Sequence, residues 1–336
     1  MNNRKITHLP RCAIIKGASG CGKKSLISSI LDDFTLIDMS DLRYAHENLN
    51  DLIKKENIKK LVINEPFYEL EIINNLENFY ILTSKNDYFY KDFISIRLNY
   101  LDYEEFISFS KKNLSESLHL SNYLLLGQNP ANVDLEPNQA YKNLQKLLKQ
   151  NLNHSQILAL KEIALKIGVQ TSVLNLYENY KNYKKISKND FFKLIKSLEN
   201  EFLIHWVKHI SKNVKKPYFT DFALRNALTY KKDFSKNYEN LVANELLLIY
   251  DEIFYHDEIS FLIPSAKLAI LCEPFTNKDF IRLKSKKINK FASPFGIETI
   301  LILSLNEQFK HIQDDISYIA MPLNMWLLSK DLNDWD

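Results

Sequence analysis

The chain is short of glycine and cysteine, and it has no long apolar run. Its 336 residues include six glycines and three cysteines, against 18 tyrosines and 20 phenylalanines. Cys12, Cys21 and Cys272 show no C-x-x-C spacing, which argues against a disulfide framework and against a zinc site. No run approaches the roughly 18–20 apolar residues that a membrane span needs, and the N-terminus lacks the apolar segment of a signal peptide. We therefore expect a soluble, cytoplasmic protein with no membrane partner.

The chain also has little excess charge of either sign. A net charge of +3 is not the strongly basic balance of a dedicated nucleic-acid binder. The distribution is uneven, however, because residues 181–216 contain ten lysines against one Asp and two Glu, and residues 276–290 contain six Lys/Arg against one Asp. A solvated basic face and a DNA-contacting surface both fit these stretches. DNA therefore stays an alternative partner beside the one argued next.

The few glycines are concentrated in one place. Gly17, Gly20 and Gly22 fall within "GASGCGKKS" (17–25), which follows the apolar run "CAIIK" (12–16). The residues after it place apolar side chains at helical spacing, so the order is buried strand, glycine loop, helix. That order is the context of the phosphate-binding motif G-x-x-x-x-G-K-[ST]. A helix-opening loop with no ligand is the alternative interpretation.

Such a loop binds phosphates through converging backbone N–H groups and the positive end of the helix dipole, with a lysine reaching the β- and γ-phosphates. Here that lysine is Lys23. The motif asks for Ser or Thr next, to ligate Mg²⁺, but the chain has Lys24 there and a serine one residue late. The predicted nucleotide-binding residues of the loop are Gly17, Ala18, Ser19, Gly20, Cys21, Gly22, Lys23, Lys24 and Ser25.

A second departure from the motif follows another predicted strand, "KKLVINE" (59–65). Asn64 stands where an Asp normally holds the metal's water shell, and Glu65 stands where a Glu polarises the attacking water. Lys24 adds positive charge beside the metal position and Asn64 removes negative charge, so both disfavour Mg²⁺. We expect ATP or ADP to bind with a doubtful need for Mg²⁺ and with slow or no hydrolysis. Glu65 is the catalytic candidate, and Lys24 is a candidate for replacing part of the cation's charge on the phosphates.

Further strands complete an α/β pattern over residues 1–110. "FTLIDM" (34–39), "YILTSK" (80–85) and "ISIRLNYL" (94–101) read as strands, and "FYELEIINNLENF" (67–79) as a helix. Strands alternating with helices predict a parallel sheet covered on both faces. At the end of 80–85, Thr83 or Ser84 is placed to sense a γ-phosphate, although a capping hydroxyl at a strand end is an equal alternative.

The remaining chain divides into three predicted parts. Residues 111–155 are mostly helical and form a linker or lid. Residues 156–216 contain three short helices and an apolar extended segment, which is typical of a winged helix but also of a generic helical bundle. Residues 217–336 mix strands and helices as a second α/β domain.

Several motifs together resemble a bacterial and archaeal family of AAA-type ATPases that carry a characteristic C-terminal domain of unknown function. The family's "GKTTLL", "DE" and "PLSFEEF" correspond to "GKKSLI", Asn64-Glu65 and "YLDYEEF" (100–106) in this chain. Its "YFxDxGLRNAL" and "ENLVxxEL" correspond to "YFTDFALRNAL" (218–228) and "ENLVANEL" (239–246). The last two are the most specific, because neither follows from generic helix or strand composition.

The resemblance implies an N-terminal ATPase domain, a winged-helix middle and a C-terminal α/β domain similar to restriction-endonuclease-like nucleases. Metal-dependent cleavage needs at least two carboxylates and a lysine. Here Ser260 takes the Asp position and Cys272 or Glu273 the Glu position, with Glu245 the one remaining acid, so nuclease activity is expected to be lost. The expected function is an ATP-binding protein of the AAA type. The alternative is a catalytically inactive DNA-associated or regulatory binding protein, and the sequence specifies no protein partner.

Overall fold

A computed structural model of the chain describes residues 4–44, 48–66 and 76–329. The helix predicted for residues 67–79 falls largely outside the described residues. Residues 78 and 79, at its predicted end, belong to a strand instead.

The N-terminal part is a parallel sheet of five strands. Its elements are β1 (Cys12–Lys16), α1 (Lys23–Ile30), β2 (Thr35–Asp38), α2 (Leu49–Lys55), β3 (Lys60–Asn64), β4 (Asn78–Thr83) and β5 (Ile94–Arg97). The strand order is β2-β3-β4-β1-β5, and every neighbouring pair is parallel. This confirms the predicted α/β class and the parallel sheet. Because parallel strands end at one edge, the residues that follow β1, β3 and β4 meet there.

The two faces of this sheet are buried by different apolar clusters. Ile15 and Leu26 belong to the cluster on the α1 side, whereas Ile14 and Leu49 belong to the cluster on the α2 side. Successive residues of β1 therefore enter opposite clusters, as the two-residue repeat of a strand requires. The middle of β1 is buried on both faces, which fixes the position of the glycine loop that follows it.

Three helices connect this sheet to the rest of the chain. They are α3 (Tyr103–Phe109), α4 (Glu116–Leu126) and α5 (Pro137–Asn151). Asp102 begins α3 with a capping box, in which it accepts from the Glu105 backbone N–H while the Glu105 side chain returns to the Asp102 N–H. The predicted loop at 127–139 contains one short 3₁₀ turn (Pro130–Asn132), and α5 begins within it.

The next part contains three helices and an antiparallel hairpin. The helices are α6 (His154–Ala164), α7 (Val173–Tyr180) and α8 (Lys188–Asn200), and the hairpin strands are β6 (Ile204–His209) and β7 (Lys215–Phe219). Thr171 adds one antiparallel bridge to Lys215. Gly168, with a positive φ of 63°, follows α6 after a short irregular segment instead of ending it directly.

The C-terminal part completes a mixed sheet. After α9 (Leu224–Leu228) and α10 (Phe234–Leu246) come β8 (Phe254–His256), β9 (Ile259–Ile263), β10 (Leu268–Cys272), α11 (Lys278–Ala292), β11 (Thr299–Ser304), β12 (Phe309–Gln313), β13 (Ile316–Pro322) and α12 (Leu323–Ser329). The sheet order is β12-β13-β11-β10-β9-β8-β6-β7. Since β6 pairs with β8, the hairpin is part of this eight-stranded sheet.

The predicted division at residues 216 and 217 falls inside β7, and one apolar core extends across all three predicted parts after residue 110. A single cluster of buried side chains includes Leu101 near α3, Leu160 in α6, Phe219 in β7 and Leu327 in α12. The linker, the three-helix part and the C-terminal sheet therefore share an interior.

The backbone at the end of α4 packs closely against the turn that follows β7. Gly127 ends α4 with φ 80° and ψ −160°, and a Cβ added to it would lie 2.2 Å from Asp221 Oδ1. That oxygen accepts hydrogen bonds from the backbone N–H groups of Gln128 and Ala223, at 3.2 Å and 3.0 Å. Burial raises the pKa of Asp221 to about 6, against the lowering effect of these bonds. Only glycine fits this junction.

Candidate functional site

The glycine loop lies between the buried end of β1 and the first turn of α1. Gly20 and Gly22 have φ values of 82° and 98°, in the region that side chains disfavour. Gly22 caps α1 without a side-chain hydrogen bond, so the amino end of the helix opens onto the loop. Gly17 is held against β5, since a Cβ there would lie 2.2 Å from the Leu98 carbonyl oxygen. The loop has the backbone form that a phosphate cradle needs.

Lys23 is buried and folded over the loop. Its Nζ donates to the carbonyl oxygens of Gly17 and Ala18, at 2.7 Å and 3.2 Å. The same ammonium lies 3.6 Å from Glu65 Oε1, with the Lys23 side chain only 7% exposed. A phosphate in the cradle would replace these weak carbonyl acceptors with a charged one.

Lys24 points away from the cradle to the neighbouring strand ends. Its Nζ lies 2.7 Å from Asp38 Oδ2, and the Asn64 side-chain amide donates to the same oxygen at 3.0 Å. Burial acts to raise the pKa of Asp38, but the hydrogen bonds from Lys24, Ser40 and Asn64 outweigh it and lower that pKa to about 2. Asp38 is therefore ionised and already neutralised by an ammonium. The suggestion that Lys24 reaches the phosphates does not match this placement.

The position that Mg²⁺ takes in such loops differs from the motif in three respects. The hydroxyl that should follow Lys23 is absent, Asn64 offers a neutral amide, and the nearby Asp38 is paired with Lys24. In nucleotide sites Mg²⁺ keeps several waters and takes one or two carboxylates together with phosphate oxygens. Within residues 4–44, 48–66 and 76–329 there is no group of three or more His, Cys, Asp or Glu that could hold a metal.

Glu65 and Ser84 are brought together at the end of β3 and β4. The Ser84 backbone N–H and hydroxyl both donate to Glu65 Oε2, each at 2.9 Å. Thr83 is fully buried, and its hydroxyl oxygen accepts from the Lys85 backbone N–H at 3.1 Å. The geometry thus separates the two candidate hydroxyls. Ser84 lies beside the candidate catalytic acid, and Thr83 serves as a strand-end cap.

A cavity of about 140 Å³ opens beside Ser19 and Ser84 and extends under α5. Ser19 donates its hydroxyl to Asn151 Oδ1 at 3.3 Å, and its carbonyl oxygen accepts from the Tyr100 hydroxyl at 2.8 Å. Leu147 of α5 lies over Gly20, where an added Cβ would come within 2.8 Å of it. α5 therefore forms one wall of the phosphate-loop region.

Arg4 supports the loop from the opposite side. Its guanidinium donates to the Cys21 carbonyl oxygen and forms a buried ion pair with Glu105 at 2.8 Å. Arg4 thereby ties the loop to the capping box of α3. This residue precedes the first strand and belongs to no motif, so no sequence pattern selects it.

The other predicted loop residues have structural surroundings. Ala18 and Cys21 are buried in the α1-side cluster, and burial raises the pKa of the Cys21 thiol. A protonated, enclosed thiol is unreactive. Ser25 is exposed in the first turn of α1, on a different side of the helix from the loop. The structure thus gathers Lys23, Glu65 and Ser84, and it leaves Lys24 and Asn64 on Asp38.

The C-terminal positions named from the resemblance do not form a metal site. The Ser260 hydroxyl oxygen accepts from the Cys272 backbone N–H at 3.0 Å, and Glu273 pairs with Lys284 at 3.1 Å. Glu245 is fully buried 2.8 Å from the Tyr123 hydroxyl of α4, so it serves the interior. The sequence analysis missed Glu239, which lies 2.9 Å from Lys216 in a largely buried ion pair.

No protein-family model and no curated protein matches the sequence. Among solved structures, the Walker-type ATPase PABY2304 of Pyrococcus abyssi aligns at 15% identity with a TM-score of 0.43, covering 64% of this chain and 90% of that one. A STAND protein with a tetratricopeptide repeat sensor, PH0952 from Pyrococcus horikoshii, aligns at 14% identity with a TM-score of 0.30, covering 74% and 47%. Drosophila ORC bound to DNA aligns at 13% with a TM-score of 0.23, covering 66% and 81%.

All three TM-scores are below 0.5, so these likenesses carry no argument about what this chain does. The chain spans about half the length of the second of them. Separately, none of the helices in the described part of the chain is long and apolar enough to cross a membrane. Function is therefore inferred from the glycine loop and the residues around it.

Proposed function

We propose that this chain binds ATP or ADP through the glycine loop, in the manner of an AAA-type ATPase domain. One observation carries the proposal: a loop with two glycines at positive φ joins an inner strand of the parallel sheet to a helix, and the buried Lys23 lies across it. The backbone N–H groups from Gly20 to Lys23 would hold the phosphates. Lys23 would supply the positive charge, with Ser84 and Glu65 at the far end of the site.

Nucleotide binding in this proposal does not depend on Mg²⁺, and hydrolysis is slow or absent. Asp38, the carboxylate next to Asn64, is neutralised by Lys24 at 2.7 Å, and the ligating hydroxyl of the motif is missing. Metal ions supply much of the charge stabilisation in phosphoryl transfer. Glu65 alone, held by two hydrogen bonds from Ser84, would not neutralise the negative charge of the transferring phosphoryl group.

The double substitution Lys24→Thr with Asn64→Asp tests the metal part of this proposal. It releases Asp38, adds a second carboxylate and restores the ligating hydroxyl. Equilibrium dialysis should show ATP binding to the natural chain that is indifferent to Mg²⁺. The double variant should bind on the order of tenfold tighter with Mg²⁺ than without it.

Lys55→Thr with Asn57→Asp is the matched control, because both residues are exposed after α2 and away from the loop. This variant should respond to Mg²⁺ as the natural chain does. A natural chain that binds ATP only with Mg²⁺, or a double variant that ignores Mg²⁺, contradicts the account of Lys24 and Asn64. No binding at millimolar ATP in any variant contradicts the proposed function itself.

A second candidate function is contact with DNA by the three-helix part, which we assign as a winged helix. The exposed face of α8 favours it, because Lys188, Lys193 and Lys196 all project into solvent there beside Phe192. α8 is also the third helix before the antiparallel hairpin, which is the place of the recognition helix in helix-turn-helix domains. In this assignment the C-terminal sheet is a nuclease-like domain without its metal ligands.

Salt dependence distinguishes this candidate from general basic attraction. If α8 contacts phosphates, Lys193→Gln with Lys196→Gln should weaken binding to duplex DNA and lower the slope of log K against log salt by about two. Lys286→Gln with Lys290→Gln, exposed on α11, is the charge-matched control and should leave the slope unchanged. An equal loss in both double variants would mean that only overall charge is involved.

A further inference from the structure

A second cavity, separate from the one under α5, lies between β5, β6 and α10. Its volume is about 50 Å³, and its polar lining consists of Arg97, Asn99, Gln128, His205, Thr220 and Asn244. No Asp or Glu contributes to the lining. Tyr100 lines both cavities and separates them, with its hydroxyl bonded to Ser19 of the loop.

Arg97 brings an uncompensated positive charge to this cavity. Its guanidinium lies over the Phe202 ring at 5.3 Å, and its Nε donates to Asn99 Oδ1 at 2.9 Å. Within residues 4–44, 48–66 and 76–329, no carboxylate lies within 4.0 Å of it. Burial lowers the pKa of Arg97, and no acid offsets that effect. The Arg97 side chain remains exposed at the mouth of the cavity, so its guanidinium is accessible to an anion that enters from solvent.

His205 offers a second unused group. Its Nε2 is shielded from solvent and has no hydrogen-bond partner in the described part of the chain, while its ring stacks on Tyr218 at 5.8 Å. Burial, and then the charge of Arg97, lower the pKa of His205 to about 3, so the ring is neutral at pH 7. In one tautomer Nε2 carries the proton and donates to a ligand.

The remaining amides are already satisfied. The Asn244 side chain donates to Gln128 Oε1 at 2.7 Å and to the Thr220 carbonyl oxygen at 3.0 Å. Gln128 donates in turn to the Leu101 carbonyl oxygen and to Tyr123. These amides shape the cavity, while Arg97 and His205 are the groups with capacity left. A water molecule would satisfy His205 but would leave the charge of Arg97 uncompensated.

We propose that this cavity binds a small anion, a phosphate or carboxylate group, held by the Arg97 guanidinium and His205 Nε2. The cavity adjoins the glycine loop, since Gly17 and Ala18 also line it, but the two groups that would hold the anion are not loop residues. Arg97 is the last residue of β5 of the parallel sheet, and His205 lies in β6 of the C-terminal sheet. A bound anion would therefore join the two sheets.

Inorganic phosphate and acetate are the probes, and the imidazole ¹⁵N and ¹H signals of His205 are the readout. Either anion should move the His205 Nε2 and Hε2 signals at pH 7, because the neutral ring would then donate its Nε2–H to a charged oxygen. Arg97→Gln should weaken phosphate binding by roughly tenfold or more, and Arg97→Lys should retain part of it. Lys23→Ala should leave the His205 response intact.

Opposite results overturn the proposal. A His205 signal that neither anion moves shows that nothing binds there. A response that Lys23→Ala removes and Arg97→Gln spares shows that phosphate was bound in the loop instead. Far-ultraviolet circular dichroism of each variant establishes that it is folded. If Arg97→Gln does not fold, Arg97→Lys still tests the proposal. A folded Lys variant in which neither anion moves the His205 signal also counts against the site.

Discussion

Replacement of Lys23 by alanine is expected to reduce ATP or ADP affinity by roughly ten- to a hundredfold. The ammonium lies over the loop within reach of a phosphate, and a hydrogen bond to a charged group contributes about 1.5–3 kcal/mol. Of the other cations near the loop in the described residues, Lys24 is held by Asp38, and Arg4 is paired with Glu105 and donates to the Cys21 carbonyl oxygen. Isothermal titration calorimetry of the natural chain and the variant measures the change.

Lys60→Ala is the control for this experiment. Lys60 is at the start of β3, at the opposite edge of the sheet from the loop, and its ammonium donates to the Asp32 carbonyl oxygen. Its loss removes the same charge from the chain and should leave affinity within about twofold. Equal losses in the two variants would indicate non-specific attraction of the nucleotide by a basic protein.

Replacement of Gly127 by alanine is expected to be the most destabilising single-methyl change of those discussed. The backbone conformation at φ 80° and ψ −160° is restricted to glycine, which costs about 1–3 kcal/mol for another residue. The added Cβ would also lie 2.2 Å from Asp221 Oδ1 and 2.5 Å from Ala223 Cβ, and such overpacking costs about 1–3 kcal/mol. The free energy of unfolding should therefore fall by about 2–6 kcal/mol.

Gly296→Ala separates the two contributions. Gly296 also has a positive φ of 68°, but an added Cβ there would meet no atom within 4 Å. Its cost should be only the left-handed backbone term of about 1–2 kcal/mol. Urea denaturation followed by tryptophan fluorescence reports on the relevant part, because Trp206 and Trp326 both lie after residue 101. Equal shifts for both variants would mean that the contact with Asp221 adds nothing.

The sequence was most informative where local pattern decides the structure. β1, β3 and β4 lie within two residues of their predicted positions, because each is a short apolar run buried on both faces. The glycine loop could be identified for a similar reason, since G-x-x-x-x-G-K between an apolar run and a helical repeat is a local pattern. Local information therefore predicts the parallel sheet and the loop together.

The partners of Lys24 and Asn64 could not be obtained in this way. Their contact with Asp38 depends on β2 lying next to β3, and the order of strands in a sheet is a property of the whole fold. Asp38 could have been selected from the sequence, because it is an acid at the end of a predicted strand. Arg97 and His205 could not, because they are far apart in the sequence and meet only where the two sheets approach.

The shared apolar core after residue 101 limits how this chain can be recombined in evolution or in the laboratory. A junction placed before Leu101 keeps the cluster that ends at Leu327 whole. A junction at residue 216 would cut β7 from β6 and expose apolar side chains on both fragments. The hairpin is therefore inherited together with the C-terminal sheet.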